Sequence, residues 1–156
     1  ALTDDLPDLI DDRELGDRIK NNVLLVDAFI QREITAGRLD CSFTSDFSKV
    51  AVHGHCHQKA LYGSDPMINI LKRVPGLSVT EIDSGCCGMA GSFGYEKEHY
   101  DLSLKIGEDR LFPAIRNLEP GTALVACGFS CRHQIQHATG VTARHWVETL
   151  RGNGAS

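Results

Sequence analysis

Apolar and polar positions along this chain follow two different periods. Short apolar runs, most of them β-branched, predict strands at 49–53, 77–82, 122–126 and 141–145. Longer stretches with helical spacing predict helices at 66–74, 96–117 and 129–139, followed by a short terminal helix. Residues 1–37 also read as helical, while residues 38–48 predict a loop and 152–156 a frayed end.

Strands that alternate with helices are typical of parallel pairing. The order therefore predicts an α/β fold: a three-layer domain with a small, mainly parallel sheet of about four strands flanked by helices. We expect two parts, a helical N-terminal connection at 1–40 and a cysteine-rich α/β domain at 41–156. On the long predicted helix, Gly107 lies in the apolar stripe, where a missing side chain would allow close contact with the sheet.

The residues that carry chemistry are cysteines in three separated segments. Cys86 and Cys87 are adjacent within a glycine-rich stretch, and Cys56 and Cys131 lie far from them in sequence. Each segment follows a predicted strand, and ligand sites of open α/β sheets form at the carboxyl ends of the strands. Because thiolates suit iron–sulfur clusters, zinc and copper(I), we predict a metal site with these four cysteines as ligands.

Other interpretations of the cysteines remain open. They could be buried structural residues, partners in disulfides, a zinc-binding structural or interaction module, or a thiol redox pair at Cys86-Cys87. A cysteine nucleophile activated by histidine at Cys56 would leave the adjacent pair unexplained. Cys127 is a candidate fifth thiolate or a buried residue at a strand end, and Cys41, in a polar loop, is expected to be unrelated to the site.

Glycines and histidines surround the cysteines. Glycines recur at every third position from the adjacent pair onward, at Gly85, Gly88, Gly91 and Gly94. Their amides could donate hydrogen bonds to cluster sulfides or thiolates. Three histidines alternate around Cys56, at His53, His55 and His57. Alternation argues against all three binding one ion, and we expect His55 and His57 to modulate charge or protons at the site.

Composition narrows the class of protein. The chain has 156 residues, of which 42% are hydrophobic and 24% charged, which is typical of a globular domain. A net charge of −5 offers no basic surface for nucleic acid, and no apolar run is long enough to span a membrane. Six cysteines are too few for a small disulfide scaffold, which favours a reducing, cytoplasmic setting. Because the chain begins at Ala1, we expect it to be part of a longer polypeptide.

Three motifs give the chain a resemblance to a known family. They are HCHQKAL at 55–61, SGCCGMAGSFGY at 84–95 and GFSCR at 128–132. Together they resemble the cysteine-rich CCG domain of heterodisulfide reductase B subunits, anaerobic glycerol-3-phosphate dehydrogenase C subunits and glycolate oxidase iron–sulfur subunits. The likeness is greatest to the C-terminal part of fusion proteins that join an FAD-linked oxidase to iron–sulfur domains. In this family the last motif is often Cys-x-x-Cys, whereas here Gly128 holds the earlier position.

The resemblance implies a role in electron transfer. It implies an iron–sulfur cluster, of the 4Fe–4S type, within a FAD-linked oxidoreductase that oxidises a D-2-hydroxy acid or a similar small substrate. The expected partners are an FAD-binding domain, a ferredoxin-like domain and an electron acceptor such as a quinone. The domain alone is expected not to be catalytic. A cytoplasmic location is implied, with attachment to the inner face of the membrane through a partner as a further expectation.

Overall fold

The computed structural model describes residues 2–40 and 42–152. By its contacts the chain divides into two compact units, residues 1–39 and 40–156. Cys41 therefore lies outside the described residues, and the interpretation of that residue stays a prediction.

The first unit contains three helices where the sequence predicted one helical stretch. They are α1 (Asp5–Leu9), α2 (Arg13–Asn22) and α3 (Val26–Thr35). The Asp12 carboxylate begins α2 by accepting a hydrogen bond from the Leu15 backbone N–H at 3.0 Å. Among the described residues of this unit, only Gly16 and Asp27 are buried. The unit therefore has almost no interior of its own.

The second unit is built on a three-stranded parallel sheet. Its strands are β2 (Lys49–His53), β3 (Ser78–Glu81) and β4 (Ala123–Ala126), in the order β3-β2-β4. Val50 pairs with Val79 on one side and with Ala123 on the other. A separate antiparallel pair joins β1 (Phe43–Thr44) to β5 (Arg151–Gly152). Both short strands were missed, because two-residue pairs carry no periodic signal.

Helices connect the parallel strands and flank the sheet. They are α4 (Cys56–Leu61), α5 (Asp65–Lys72), α6 (Tyr100–Asp109), α7 (Leu111–Arg116) and α8 (Phe129–Thr139). Two 3₁₀ turns lie at Phe93–Tyr95 and Trp146–Thr149. The predicted helix at 129–139 and the predicted strand at 49–53 agree with the structure at both ends. The predicted α/β fold with a small parallel sheet between helices is confirmed.

The central strand β2 and its neighbour β4 are buried on both faces, whereas the edge strand β3 is mostly exposed. Successive side chains of β2 point to opposite faces, and Val50, Ala51 and Val52 are all inaccessible to solvent. Ala51 and the paired Leu124 belong to a core cluster with residues of α7 and α8. Strands buried on both faces read as continuous apolar runs, which explains why the sequence signal for β2 and β4 was strong.

The fourth predicted strand is reduced to a single bridge. Arg144 pairs in parallel with Val125, and its backbone exchanges hydrogen bonds of 2.9 Å with Leu124 and Ala126. The chain then turns, because His145 and Glu148 form a capping box that begins the last 3₁₀ turn. The residues at 141–145 therefore extend the edge of the sheet without forming a full strand.

The long helix predicted at 96–117 is wrong in its length and continuity. It is broken at Arg110 into α6 and α7. Pro113 has no N–H to donate to the carbonyl four residues earlier, and its ring would clash there, so the helix cannot continue through Asp109. The break turns the Phe112 ring onto Gly107, where a Cβ would lie only 2.2 Å from the ring. The close approach that Gly107 allows is therefore with Phe112 and not with the sheet.

None of the described helices has the length and apolar character needed to cross a membrane.

Candidate metal centre

All three cysteine segments begin at the same edge of the sheet. The parallel strands β2, β3 and β4 end at His53, Glu81 and Ala126. Cys56 opens α4 just after β2, the Cys86-Cys87 pair follows β3, and Cys131 lies in the first turn of α8 after β4. The carboxyl ends of parallel strands share one edge, so the topology itself brings these segments together.

The sulfur atoms of the three segments are close neighbours. Cys87 Sγ donates a hydrogen bond to Cys131 Sγ at 3.2 Å, and Cys56 Sγ lies 4.0 Å from Cys86 Sγ. The five described cysteines are free thiols. Four thiols from remote parts of the sequence therefore form one continuous group.

This group extends from the core to the surface. Cys131 and Cys87 are 1% and 3% exposed, Cys86 is half-buried, and Cys56 is exposed. The inner sulfurs pack within the hydrophobic cluster beneath the sheet edge. The outer sulfur is reachable from solvent, so the group links the interior to the protein surface.

His53 joins the inner end of the cysteine group. It is 1% exposed, and one of its ring nitrogens lies within 4.8 Å of both Cys87 Sγ and Cys131 Sγ. Its Nδ1 lies 2.7 Å from Ser84 Oγ, while Nε2 is buried without a hydrogen-bond partner. The sequence interpretation favoured His55 and His57 and did not single out His53. The sequence feature that could have identified His53 was its position at the end of the apolar run Val50–Val52, which predicts a buried strand.

His55 and His57 lie further out. The two rings meet edge to face, with centroids 6.4 Å apart, and His57 is exposed. The His55 ring packs against Gly128, where a Cβ would lie 2.4 Å from the ring and 3.0 Å from Cys131 Sγ. His55 therefore borders the cysteine group, and Gly128 provides the space for that contact. The contact of His55 with Gly128 leaves no room for a side chain at this position.

Backbone amides point at the thiol sulfurs. The Gly88 N–H donates to Cys86 Sγ at 3.3 Å, as the glycine spacing suggested. Gly88 has φ +94°, and a Cβ there would lie 2.0 Å from the Ser103 carbonyl oxygen, so only glycine fits. Gly91 also has positive φ, but a Cβ there would meet no atom within 4 Å. Gly85 has no positive φ, and a Cβ there would make only ordinary contacts with Arg110, at 3.9 Å. That these glycines shape the binding site of a cofactor stays a prediction.

Cys127 contacts a methionine sulfur. Its Sγ donates to Met67 Sδ at 3.3 Å, in the packing of α5. The neighbouring Arg132 guanidinium donates to the carbonyls of Ala126 and Cys127 at 3.0 and 2.9 Å. Cys127 is not a member of the His53, Cys87 and Cys131 group. It is the natural control residue for tests of the site.

Crowding and burial raise the pKa values of three of the thiols, those of Cys56, Cys86 and Cys87. The hydrogen bond with Cys131, together with burial, raises the pKa of Cys87 to about 11. The hydrogen bond with Cys87, together with burial, also raises the pKa of Cys86. Burial and the charge of Cys86 raise the pKa of Cys56. Four thiolates this close would repel one another, and a bound cation would reverse this preference.

His53 and its neighbour His55 are held neutral, because the pKa values of both are lowered. Burial, and secondarily the positive charge of Lys59, lowers the pKa of His53 to about 4. Burial also lowers the pKa of His55, with the charges of His57 and His53 as further causes. Neutral imidazole is the form that binds metals.

The donor set fits a soft metal centre. It consists of four thiols and a neutral imidazole, with the Gly88 N–H directed at sulfur. Its inner group, formed by His53, Cys87 and Cys131, contains no carboxylate. Iron–sulfur clusters and zinc both prefer such donors. The buried Nε2 without a partner also indicates that the site lacks one contact, since buried polar atoms are almost always satisfied.

A cleft of about 220 Å³ opens beside α8. Its walls are Met89, Gly94, Tyr95, Tyr100, His133, Gln134 and His137. Two phenol–imidazole contacts line it: Tyr95 Oη lies 3.2 Å from His133 Nδ1, and Tyr100 Oη lies 2.6 Å from His137 Nε2. The two histidines of these pairs lie on α8, the helix that carries Cys131.

The known proteins that are similar in sequence to this chain are dehydrogenases, or subunits of a dehydrogenase or an oxidase. The C subunit of the anaerobic glycerol-3-phosphate dehydrogenase of Escherichia coli is 30% identical over 152 residues, 96% of this chain and 37% of the relative. The D-2-hydroxyglutarate dehydrogenase of Escherichia coli is 35% identical over 98 residues, 62% of this chain and 10% of the relative. The glycolate oxidase iron-sulfur subunit of Escherichia coli is 25% identical over 152 residues, 88% of this chain and 36% of the relative.

The chain spans little more than a third of the glycerol-3-phosphate dehydrogenase relative, at 37% of its length. No family model and no solved structure matches the chain. The relatives are oxidoreductases or their subunits, of the kinds that the sequence motifs indicated, and at low identity they fit the CCG type of cysteine-rich domain.

Proposed function

We propose that this chain binds an iron–sulfur cluster of the 4Fe–4S type and transfers electrons within a FAD-linked oxidoreductase. The observation that carries the proposal is the convergence of thiols from three remote segments at one sheet edge, with sulfur separations of 3.2 and 4.0 Å. The similarity to a glycolate oxidase iron-sulfur subunit supports it. Cys56, Cys86, Cys87 and Cys131 would hold the cluster, which supplies one-electron chemistry when bound.

The residues around the cysteines have separate tasks in this proposal. The Gly88 amide would donate to a thiolate, which tunes the reduction potential. The buried sulfurs keep water from one side of the site, while the exposed Cys56 leaves an approach for a partner. Electrons would then enter or leave at the surface near Cys56.

The larger protein would supply the remaining parts. An FAD-binding domain and a ferredoxin-like domain, in the same or a partner chain, would deliver electrons from a D-2-hydroxy acid or a similar small substrate. Names of the relatives that include glycerol-3-phosphate, D-2-hydroxyglutarate and glycolate support this substrate class. A quinone or another acceptor would receive the electrons. We infer a cytoplasmic place for the domain, with any membrane attachment through a partner.

Anaerobic reconstitution tests the cluster. The metal-free protein is incubated with iron and sulfide, and then iron, acid-labile sulfide and absorption near 400 nm are measured. We expect about four irons and four sulfides per chain, since four thiolates suit a 4Fe–4S cluster. Cys87→Ser and Cys131→Ser should lose most of the iron.

Cys127→Ser is the matched control, because this thiol contacts Met67 and lies outside the inner group. It should load as fully as the unaltered chain. Equal loading of Cys131→Ser and the unaltered chain would contradict the assignment of Cys131. Failure of every chain to take up iron and sulfide would contradict the cluster itself.

A zinc-binding structural or interaction module is the second candidate. It is favoured by the group of His53, Cys87 and Cys131, whose ligand atoms all lie within 4.8 Å of one another. Zinc takes such nitrogen and sulfur donors in structural sites. One tightly bound zinc per chain, with no uptake of iron and sulfide, would favour this candidate. A reversible two-electron thiol titration without any metal would instead favour redox chemistry at Cys86-Cys87.

A further inference from the structure

His53 is the buried polar residue of the site whose hydrogen bonding is incomplete. The side chain is 1% exposed, and its Nε2 has no hydrogen-bond partner. Leaving a buried polar atom unpaired costs free energy, so such atoms are rare in folded proteins. An unpaired ring nitrogen on a buried histidine that lies beside two thiols therefore indicates a missing partner.

The other ring nitrogen determines what that partner is. Nδ1 lies 2.7 Å from Ser84 Oγ. When Nδ1 carries the proton and donates to that hydroxyl, Nε2 presents a bare lone pair. Histidines that bind metals usually donate their second N–H to an oxygen in this way, which fixes the ring orientation. Ser84 thus prepares His53 to act as a ligand.

The position of the ring agrees with this role. One ring nitrogen lies within 4.8 Å of Cys87 Sγ and Cys131 Sγ, so a single ion could reach all three residues. The ring is held at the end of β2, between the cysteine loop and α8, with its backbone paired to Ala126. A ligand on a central strand is well fixed, because the strand cannot move without disturbing the sheet.

We propose that His53 is a nitrogen ligand of the metal centre held by Cys87 and Cys131, with Nε2 as the donor atom. The proposal rests on the proposed function where the metal is the iron of a cluster. The site is then a mixed one, in which imidazole binds beside thiolates. A 4Fe–4S cluster takes four protein ligands, so His53 would hold the position of one of the outer cysteines, Cys56 or Cys86, and replacing cysteine by histidine in this way raises the reduction potential. His53 would thus set the potential as well as hold the metal.

A probe metal tests the ligand without depending on the cluster. The metal-free protein, labelled with ¹⁵N-histidine, is loaded anaerobically with ¹¹³Cd²⁺, a soft ion that accepts thiolate and imidazole. We expect one imidazole resonance to show a splitting from the bound cadmium. His53→Asn keeps an amide near the position of Nδ1, so the bond to Ser84 can persist, but it lacks Nε2.

In His53→Asn the splitting should disappear and cadmium affinity should fall about 10- to 100-fold. His137→Asn, at an exposed histidine whose ring contacts Tyr100, is the control and should change neither result. Cadmium bound to thiolates with no split imidazole in the unaltered chain would overturn the proposal, whether or not the variants fold. A splitting that persists in His53→Asn would also overturn it.

The cluster-loaded protein provides a second measurement. His53→Cys supplies another ligand for the same metal, so iron and sulfide content should remain while the reduction potential falls. An unchanged potential with full loading would overturn the role of His53 at the cluster. Failure of the unaltered chain to form a cluster would overturn the proposed function instead, and the cadmium experiment would still decide the role of His53.

Discussion

Gly88 lies between a buried thiol and a buried methionine in a conformation that other residues avoid. Its φ is +94°, and a Cβ would lie 2.0 Å from the Ser103 carbonyl oxygen. Gly88→Ala should lower the free energy of unfolding by at least about 3 kcal/mol, because backbone strain and a clash with main-chain atoms add together. Urea unfolding of the metal-free protein measures the change.

Gly91→Ala is the matched control for this prediction. Gly91 also has positive φ, at +70°, but a Cβ there would meet no atom within 4 Å. Conformational strain alone should cost about 1–2 kcal/mol. Equal losses in the two variants would show that the contact with Ser103 does not limit Gly88.

The raised thiol pKa values make metal binding depend on pH. Without a cation, neighbouring thiols and burial raise the pKa values of Cys56, Cys86 and Cys87, that of Cys87 to about 11. Each thiol that binds a metal must release a proton, so the apparent binding constant should rise about tenfold per pH unit for each thiol bound. Competition titrations with Cd²⁺ at pH 6, 7 and 8 measure this slope. The affinity should rise across this whole range, because all three pH values lie well below the Cys87 pKa of about 11.

Cys87→Ser should lower that slope by about one proton, because one ionising ligand is lost. Cys127→Ser should leave the slope unchanged, since the Cys127 thiol contacts Met67. A slope that is the same in all three chains would contradict the participation of Cys87.

The residues of the site differ in how well the sequence predicts them. The convergence of Cys56, Cys86, Cys87 and Cys131 was predictable, because each follows a strand and parallel strands end at one edge. The position of His53 was not, since alternation placed it only on one face of a strand. The unpaired Nε2 depends on the contact with Ser84 Oγ, which sequence patterns do not contain.

At the level of elements, the break between α6 and α7 brings the Phe112 ring into close contact with Gly107. A Cβ on Gly107 would lie 2.2 Å from the Phe112 ring. Gly107→Ala should cost about 1–3 kcal/mol through overpacking, although the higher helix propensity of alanine offsets about 1 kcal/mol. The net loss is measured by urea unfolding.

A double-mutant cycle tests the cause of that loss. Phe112→Leu removes ring atoms beside Gly107, so the further change Gly107→Ala should be less costly in that background, by about 0.5–3 kcal/mol. Strictly additive losses would mean that the alanine methyl meets something other than the Phe112 ring.

Predictability at this scale follows the strength of the local signal. The strand Lys49–His53 and the helix Phe129–Thr139 were predicted with correct ends, because each is a clear periodic segment beside glycine or polar residues. The helix Cys56–Leu61 was not predicted, because six residues are too few to show a clear apolar period. The same residues form most of the HCHQKAL motif, whose cysteine was interpreted as a metal ligand. The break at Arg110 was missed because the predicted helix at 96–117 was continued through Pro113.

At the scale of the whole molecule, core and candidate site lie in the same unit. Every buried hydrophobic residue of the described chain falls between Val50 and Trp146. The described part of the first unit exposes large apolar side chains instead, with Val26 53% and Phe29 46% accessible. Folding free energy from apolar burial therefore arises almost entirely after residue 40.

A fragment of residues 40–156 should for this reason fold by itself and bind metal as the full chain does. Its cooperative thermal unfolding and its Cd²⁺ affinity should match those of the full chain, the affinity to within about a factor of three, or about 0.7 kcal/mol. The complementary peptide 1–39 should show little helicity by circular dichroism, since its longest helices have ten residues and isolated helices shorter than about 12–15 residues are marginal in water. A fragment 40–156 that unfolds without cooperativity, or that loses cadmium affinity by a factor of ten or more, would mean that the first unit stabilises the metal centre, although its sequence contains neither cysteine nor histidine.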